Sequence, residues 1–271
     1  MAVNTRPIGV FDSGIGGLTV VREIFRLLPN EPVLFFGDTA RLPYGPKSKE
    51  TVIRFCRQNA RFLLSRGVRS IVVACNTASS VALTTLRDES PVPVIGVIEP
   101  GARAAARTTR SGVVGVIGTR GTVASGAYDE ALHALEPEIR VVSAPSQLLV
   151  SLAEEGWTDH PVTTRVVEEY LAPLLRTSMD TLILGCTHFP VLKETISRVA
   201  GENVRIVDAA RETARMLRET LPDPTPKGAS IPSARFAVSD VPHRFRESAE
   251  LFLGGPIGSV EKIDLEVLEE V

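Results

Sequence analysis

The sequence predicts an α/β protein of two similar domains, each with a mainly parallel sheet and flanking helices. Short apolar runs alternate along the chain with amphipathic segments, which is typical of parallel strands joined by crossover helices. Two of these runs, 71–74 and 182–185, end in the same way, at Cys75 and Cys186, each followed by small polar residues. Because ligands of open α/β sheets bind at the carboxyl ends of strands, the active site is expected in the interdomain cleft, with both cysteines lining it.

The elements follow from apolar periodicity and from the Gly and Pro residues between the periodic segments. The pattern restarts near residue 97, which predicts a first domain of residues 1–96 plus 209–271 and a second domain of residues 97–208. A proline-rich connector is expected at 221–228. Strands are expected at about 7–11, 31–36, 71–74, 92–98, 113–117, 139–142, 182–184, 204–207, 236–238 and 257–260. Helices are expected at about 18–28, 49–66, 79–87, 102–109, 123–135, 147–155, 161–175, 190–199, 211–220 and 242–253.

Composition restricts the class of protein. The 271 residues are 44% hydrophobic and 23% charged, as in an ordinary soluble globular protein. A net charge of −2 gives no reason to expect a nucleic acid or an anionic membrane as a partner. No apolar stretch reaches the roughly 20 residues of a membrane span, and no signal peptide is expected at the N-terminus. Three widely spaced cysteines indicate a reducing cytoplasm, and the four scattered histidines give no metal-ligand spacing.

Two loops are candidates for ligand binding. The turn Asp12-Ser13-Gly14-Ile15-Gly16-Gly17 joins a strand to a helix, where backbone N–H groups can hold an anion. It is not a dinucleotide fingerprint, because Thr19 occupies the position of the third glycine. A tight turn without a ligand fits the glycines equally well. The second loop, Arg41-Leu42-Pro43-Tyr44-Gly45-Pro46, is expected to be a rigid surface loop that shapes a binding site.

Two thiols in one cleft suit the inversion of a stereocentre that bears an acidic hydrogen. One group removes the proton from one face and the other returns a proton to the opposite face, and the roles exchange in the reverse reaction. Helix N-termini can lower a thiol pKa from about 8.5 toward neutrality. Asp12, Glu154 and His188 would assist the thiolates. Ser13, Asn76, Thr77 and Thr187 would bind the carboxylates and the ammonium of an amino acid.

Other interpretations remain open at this point. Cys186 and His188 could form a nucleophile and base pair, although this leaves Cys75 unexplained. A two-lobed solute-binding module would explain the two domains without any chemistry. Cys56 lies inside a predicted helix and is interpreted as a packing residue.

Several long motifs, in order along nearly the whole chain, resemble the glutamate racemases of the cofactor-independent aspartate/glutamate racemase superfamily. They are Phe11-Asp12-Ser13-Gly14-Ile15-Gly16-Gly17-Leu18-Thr19-Val20, Gly37-Asp38-Thr39-Ala40, Pro43-Tyr44-Gly45-Pro46, Ala74-Cys75-Asn76-Thr77-Ala78, Gly115-Val116-Ile117-Gly118-Thr119 and Leu184-Gly185-Cys186-Thr187-His188-Phe189-Pro190. The chain departs from many relatives at Ala144-Pro145, where they carry Cys-Pro, a position with no catalytic role.

The resemblance implies interconversion of L- and D-glutamate without a cofactor, supplying D-glutamate for peptidoglycan. It implies that Cys75 deprotonates the D-enantiomer and Cys186 the L-enantiomer, assisted by Asp12 and His188 respectively. Glu154 is expected near His188, although a one-residue shift would put Glu155 in that place. The substrate pocket implied by the resemblance consists of Asp12, Ser13, Pro43, Tyr44, Gly45, Asn76, Thr77, Thr187 and His188. The resemblance further implies a homodimer. The nearest alternative function is that of an aspartate racemase, whereas a decarboxylase of this fold has only one thiol and fits poorly.

Overall fold

The computed structural model describes residues 6–221 and 234–270, so the greater part of the predicted connector lies outside the described residues. Ten strands are present in these ranges: Ile8–Asp12 (β1), Val33–Gly37 (β2), Ser70–Val73 (β3), Val94–Gly96 (β4), Val113–Gly118 (β5), Arg140–Pro145 (β6), Thr181–Gly185 (β7), Arg205–Asp208 (β8), Arg235–Val238 (β9) and Val260–Lys262 (β10). They form two separate sheets, and the strand pairs within both sheets are parallel.

Four strands of the first sheet have the same order as the four strands of the second sheet. The first runs β10-β9-β2-β1-β3-β4 and the second runs β6-β5-β7-β8. Without β9 and β10, the first sheet has the order second, first, third, fourth, which is also the order of the second sheet. The strands that precede Cys75 and Cys186, β3 and β7, therefore occupy equivalent places in the two sheets. This confirms the predicted fold class of two similar α/β units.

Helices connect the strands, as parallel pairing requires. The described helices are Leu18–Leu27 (α1), Lys49–Ser65 (α2), Asn76–Glu89 (α3), Ile98–Thr108 (α4), Arg120–Ala124 (α5), Ala127–Leu135 (α6), Leu148–Glu154 (α7), Pro161–Leu175 (α8), Lys193–Ala200 (α9), Ala209–Thr220 (α10), Pro242–Leu253 (α11) and Leu265–Glu270 (α12), with a short 3₁₀ helix at Phe189–Leu192. Two of them, α4 and α10, carry the chain from one sheet to the other and back. None of the described helices is long and apolar enough to cross a membrane.

The central strands are buried on both faces, which explains their continuous apolar sequences. All residues of β1, β2, β3, β5 and β7 are buried, whereas β6, at an edge of the second sheet, is largely exposed. Cys56 is completely buried in α2 among apolar side chains. Its position in the core agrees with a packing role.

Four local features differ from the sequence-based expectation. Helix α3 begins at Asn76, three residues earlier than predicted, so Cys75 is its N-cap residue. The helix expected at 123–135 is two helices, because Gly126 adopts a left-handed conformation with φ of 67° between α5 and α6. Helix α4 begins at Ile98, four residues earlier than predicted, and the strand expected at 92–98 ends at Gly96. Helix α12 was not predicted. Of the four, the early start of α3 matters most, because it brings Cys75 to a helix N-terminus.

Candidate active site

Cys75 lies where β3 meets α3. Its thiol is 6% exposed, and its Sγ is 3.6 Å from Oγ of Ser13 on the loop after β1. Burial and the negative charge of Asp12 raise the pKa of Cys75 to about 12, although the N–H of Ala78 in the first turn of α3 opposes the shift. The Cys75 sulfur is therefore a protonated thiol at neutral pH.

Cys186 occupies the equivalent position after β7 and has a different partner. Its thiol is 5% exposed, and its Sγ lies 3.8 Å from Nδ1 of His188. The other ring nitrogen, Nε2, lies 2.9 Å from Oε1 of Glu154 at the end of α7. Burial lowers the pKa of His188, but the hydrogen bonds to Cys186 and Glu154 outweigh it and raise the pKa to about 10. His188 is therefore an imidazolium at neutral pH, placed to stabilise a Cys186 thiolate.

Two helices, α1 and α11, also contact the loop that carries His188. The hydroxyl of Thr19 in α1 lies 2.9 Å from the carbonyl oxygen of Thr187. The edge of the His188 ring packs against Phe252 of α11, with ring centroids 5.3 Å apart. Gly16 leaves space for the imidazole, since a Cβ there would lie 2.5 Å from Nδ1. The sequence therefore needs glycine at position 16 for a close approach between the two sheets.

Both cysteines line one partly open cavity. The predicted residues that line it are Ser13, Pro43, Tyr44, Gly45, Cys75, Asn76, Thr77, Glu154, Cys186, Thr187 and His188. It is also lined by residues outside the predicted set: Gly14, Leu42, Thr119, Gln147 and Val150. The thiols thus face a shared space from equivalent positions of two different sheets.

Asp12 is the one predicted site residue that does not line the cavity. It is completely buried at the end of β1, where its Oδ2 accepts a hydrogen bond of 2.9 Å from the N–H of Gly14. Within the described parts of the chain, its Oδ1 is buried without a hydrogen-bond partner. Burial raises the pKa of Asp12, while the charge of His188 opposes the shift. A buried carboxylate with an unused oxygen and a raised pKa is suited to accept a proton.

Glu154 rather than Glu155 contacts the histidine. Glu154 lies against His188 and lines the cavity, whereas Glu155 does neither. The carboxylate of Glu154 is 42% exposed, so it joins the buried imidazole to solvent. Of the two residues, Glu154 is therefore the one that lies beside His188.

Tyr44 lines the cavity, but its hydroxyl group is hydrogen-bonded elsewhere. That hydroxyl donates to Oδ2 of Asp38 and accepts a 3.0 Å hydrogen bond from Nδ2 of Asn59, both behind the loop. Burial and the charge of Asp38 raise the pKa of Tyr44 well above its usual value, so the group remains a hydrogen-bond donor.

The hydroxyls of Thr77, Thr119 and Thr122 lie close together across the cleft. Of the three, only Thr77 was predicted as a site residue. Oγ1 of Thr77 lies 2.9 Å from Oγ1 of Thr119 and 3.3 Å from Oγ1 of Thr122. Nearby, the hydroxyl of Tyr128 donates to Oδ1 of Asn76 over 2.8 Å. The turn at 118–122 resembles an anion-holding loop in sequence, which was the available signal for Thr119 and Thr122. For Tyr128, inside a helix, the sequence offers no signal.

No three His, Cys, Asp or Glu side chains cluster as metal ligands within residues 6–221 and 234–270. The functional groups that line the cavity are thiols, hydroxyls, amides, an imidazole and the carboxylate of Glu154, which are groups for proton transfer and for binding a polar ligand.

Comparison with known proteins agrees with this chemistry. The family model described as Asp/Glu/Hydantoin racemase matches residues 8–217. The glutamate racemase of Geobacter metallireducens is 49% identical over 272 residues, covering 98% of this chain and 99% of the relative. That of Neisseria gonorrhoeae is 49% identical over 266 residues, covering 96% and 97%.

Solved structures give the same result. The Bacillus anthracis glutamate racemase has a TM-score of 0.90 and 42% identity, covering 96% of this chain and 98% of that one. The Francisella tularensis enzyme, solved in complex with D-glutamate, has a TM-score of 0.90 and 39% identity, covering 97% and 98%. The chain therefore belongs to the Asp/Glu/Hydantoin racemase family. It is an amino-acid racemase, and within that family it groups with the glutamate racemases, as its motifs predicted.

Proposed function

We propose that this chain interconverts L- and D-glutamate without a cofactor, with Cys75 and Cys186 as the two opposing acid–base groups. The observation that carries the proposal is the shared cavity, which both sulfurs line from equivalent strand ends of two different sheets. A substrate bound between them presents its Cα to one sulfur on each face. Racemisation by proton removal and return requires this arrangement.

The two thiols have different partners. The raised pKa of Cys75 keeps that sulfur protonated, whereas Cys186 has the imidazolium of His188 beside it. We therefore assign proton removal by Cys186 and proton delivery by Cys75 to one direction of the reaction. By the family resemblance, this is the direction from L- to D-glutamate.

Each turnover moves protons in balance. The Cys186 thiolate takes the Cα proton and becomes a thiol, while the Cys75 thiol gives its proton to the opposite face and becomes a thiolate. The reverse reaction starts from this second state. To return to the first state, the Cys75 sulfur must regain a proton and Cys186 must lose one. We assign the return of a proton to Cys75 to Asp12 and the removal of a proton from Cys186 to His188. Because His188 is already protonated, it first releases a proton through Glu154, which is 42% exposed, and then takes the proton of Cys186.

The polar groups around the thiols suit an amino acid with a second carboxylate. We assign carboxylate and ammonium binding to Ser13, Asn76, Thr77 and Thr187, together with the backbone of the Pro43–Gly45 loop. Glutamate as the substrate is supported by the full-length relatives, of which the Francisella tularensis enzyme was solved with D-glutamate bound.

Circular dichroism of the purified protein with L-glutamate, and separately with L-aspartate, tests the substrate. Loss of optical signal from L-glutamate without added cofactor supports the proposal. Loss of signal from L-aspartate alone would instead identify an aspartate racemase. Cys75→Ala and Cys186→Ala variants should each lose racemisation while still binding D-glutamate in calorimetry.

Deuterated water tests the two-base mechanism. At early times solvent deuterium should enter mainly the product enantiomer, because the proton returned comes from a different sulfur than the one that received the substrate proton. Equal labelling of recovered substrate and product would indicate a single shared base.

The division into domains is part of the same proposal. Residues 1–96 with 209–271 form the domain of Asp12 and Cys75, and residues 97–208 form the domain of Glu154, Cys186 and His188. Strand membership supports these bounds, since β4 ends at Gly96, β8 ends at Asp208, and β9 and β10 pair beside β2.

We further propose that the enzyme is a cytoplasmic homodimer that supplies D-glutamate for peptidoglycan. Its three cysteines are free thiols, which suits a reducing compartment. Half of the large apolar side chains exposed in the described residues lie between positions 148 and 175, which supports self-association through that region: Leu148, Trp157, Val162 and Leu175. Light scattering after size-exclusion chromatography measures the oligomeric state, and a D-glutamate requirement after gene deletion tests the cellular role.

A further inference from the structure

A closed network of buried polar groups lies behind the loop that forms one wall of the cavity. Asp38 follows β2 and is completely buried, but it does not line the cavity. Nε of Arg41 lies 2.9 and 2.8 Å from its two carboxylate oxygens, and the hydroxyl of Tyr44 donates to Oδ2. Asn59 of α2 closes the ring, because it accepts from Arg41 over 2.9 Å and donates to Tyr44 over 3.0 Å.

The network holds both ends of a four-residue segment. Arg41 and Tyr44 flank Leu42 and Pro43, and the segment from Leu42 to Gly45 lines the cavity. The Arg41 guanidinium also lies 4.3 Å above the ring of Phe55, so it is fixed by packing as well as by hydrogen bonds. The Tyr44 hydroxyl is held behind the loop by its hydrogen bonds to Asp38 and Asn59.

The C-terminal part of the chain holds the start of the same loop. Oγ of Ser239, directly after β9, donates to Oδ1 of Asp38 over 3.0 Å and accepts from the N–H of Ala40 over 2.9 Å. Thr39 and Asp240 make two further hydrogen bonds, of 3.0 and 2.9 Å. Ser239 and Asp240 thus contact the loop that forms the cavity wall, although neither residue lines the cavity.

From this connectivity we infer that Asp38 is a positioning residue for substrate binding, and that Ser239 acts through it. The pair sets the place of the Leu42–Gly45 wall, and through it the affinity for the substrate. This inference rests on the proposed function only in its use of glutamate as the ligand. Since the wall serves both enantiomers, loss of the network weakens both directions equally. Loss of Asp12 or His188, by contrast, affects the two directions unequally.

Ser239→Ala is the sharpest test, because it removes one hydroxyl outside the cavity and leaves the Asp38–Arg41 ion pair in place. Ser239→Ala loses two hydrogen bonds, the one to Asp38 and the one from Ala40. Loss of the hydrogen bond to Asp38 corresponds to an increase in KM of about five-fold for both L- and D-glutamate, with kcat within about two-fold of wild type. Ser239→Thr keeps the hydroxyl and should restore KM. Ser90→Ala is the matched control, because the Ser90 hydroxyl likewise donates to one oxygen, the Val92 carbonyl, and accepts from one amide, and Ser90 does not line the cavity.

Hydrogen exchange gives a readout that does not depend on activity. Amides of residues 40–46 should exchange faster in Ser239→Ala than in wild type, and no faster in Ser90→Ala. A purely structural role predicts a lower melting temperature with unchanged KM and unchanged exchange of the loop, which would overturn the inference. An equal rise in KM in Ser90→Ala would also overturn it. Wild-type inactivity toward glutamate would refute the proposed function alone, since the exchange comparison would still decide the role of the network.

Discussion

Substitution of Gly16 by alanine tests how closely the two halves of the site must approach. Gly16 precedes α1, and a Cβ built there lies 2.5 Å from Nδ1 and 2.6 Å from Cε1 of His188, and closer still to Oγ1 of Thr187. Ordinary contact begins at about 3.4 Å, so the imidazole must move by roughly 1 Å or the loop must retreat. The ring has little freedom to move, since Glu154 and Phe252 hold two of its sides.

The expected effect is larger on catalysis than on stability. A misplacement of about 1 Å at a reacting group costs on the order of 100-fold in rate, whereas an added methyl in a packed site costs about 1–3 kcal/mol of stability. Gly16→Ala should therefore remain folded and lose about 100-fold in kcat. The loss should be greatest in the direction that starts with Cys186, because His188 stabilises that thiolate. Circular dichroism progress curves from L- and from D-glutamate measure both directions, and urea denaturation measures the unfolding free energy.

Gly255→Ala is the matched control, because a Cβ there meets no atom within 4 Å, and its kcat should equal that of wild type. The reasoning is refuted if Gly16→Ala retains kcat within about three-fold of wild type in both directions. An equal loss in Gly255→Ala would show that alanine at an unconstrained glycine is itself harmful, and that the close contact with His188 is not the cause.

Three further predictions follow from buried charges. The pKa of His188 is raised to about 10 from 6.5, so its contribution to folding stability is complete below pH 6.5 and is lost as the pH rises toward 10. The difference in unfolding free energy between wild type and His188→Asn, measured by urea denaturation, should therefore shrink over that range. Asp12→Ala and His188→Ala should each slow the two directions unequally, and symmetric losses from both would show that neither group serves one particular thiol. Asp38→Ala leaves the Arg41 side chain, 10% exposed, without its carboxylate and should cost about 3–5 kcal/mol in the same denaturation assay.

Much of the fold was predictable because its signals are local. Continuous apolar strands and amphipathic helices follow from periodicity, and the repeated cysteine strands 71–74 and 182–185 indicated the two related halves. The predicted element bounds differ from the structure by one to three residues at most ends. The start of α3 was misplaced, since Asn76 and Thr77 have the composition of a loop yet form its first turn. Burial of that turn against the second half of the chain outweighs its weak helix propensity.

The rest of the site depends on pairs of residues that are distant along the chain. The contact of Asp38 with Ser239 and that of Asn76 with Tyr128 join segments whose approach depends on strand order. Local periodicity carries no information on strand order, because every crossover connection looks alike along the sequence. The cysteines could be found because each lies at a strand end, where the local sequence itself changes abruptly.

The shared strand order explains why the two sulfurs are alike in position and unlike in chemistry. Repetition of the same four-strand order puts a cysteine after the third strand of each sheet, so the backbone places them symmetrically. Their proton partners are not repeated. Cys75 has a carboxylate, Asp12, at the end of the neighbouring strand β1, whereas Gly118 ends the corresponding strand β5. Cys186 instead has His188 on its own loop. In the proposed mechanism, the symmetric positions let both sulfurs reach one carbon. Because the partners differ, we expect a change to either partner to alter one direction of the reaction more than the other.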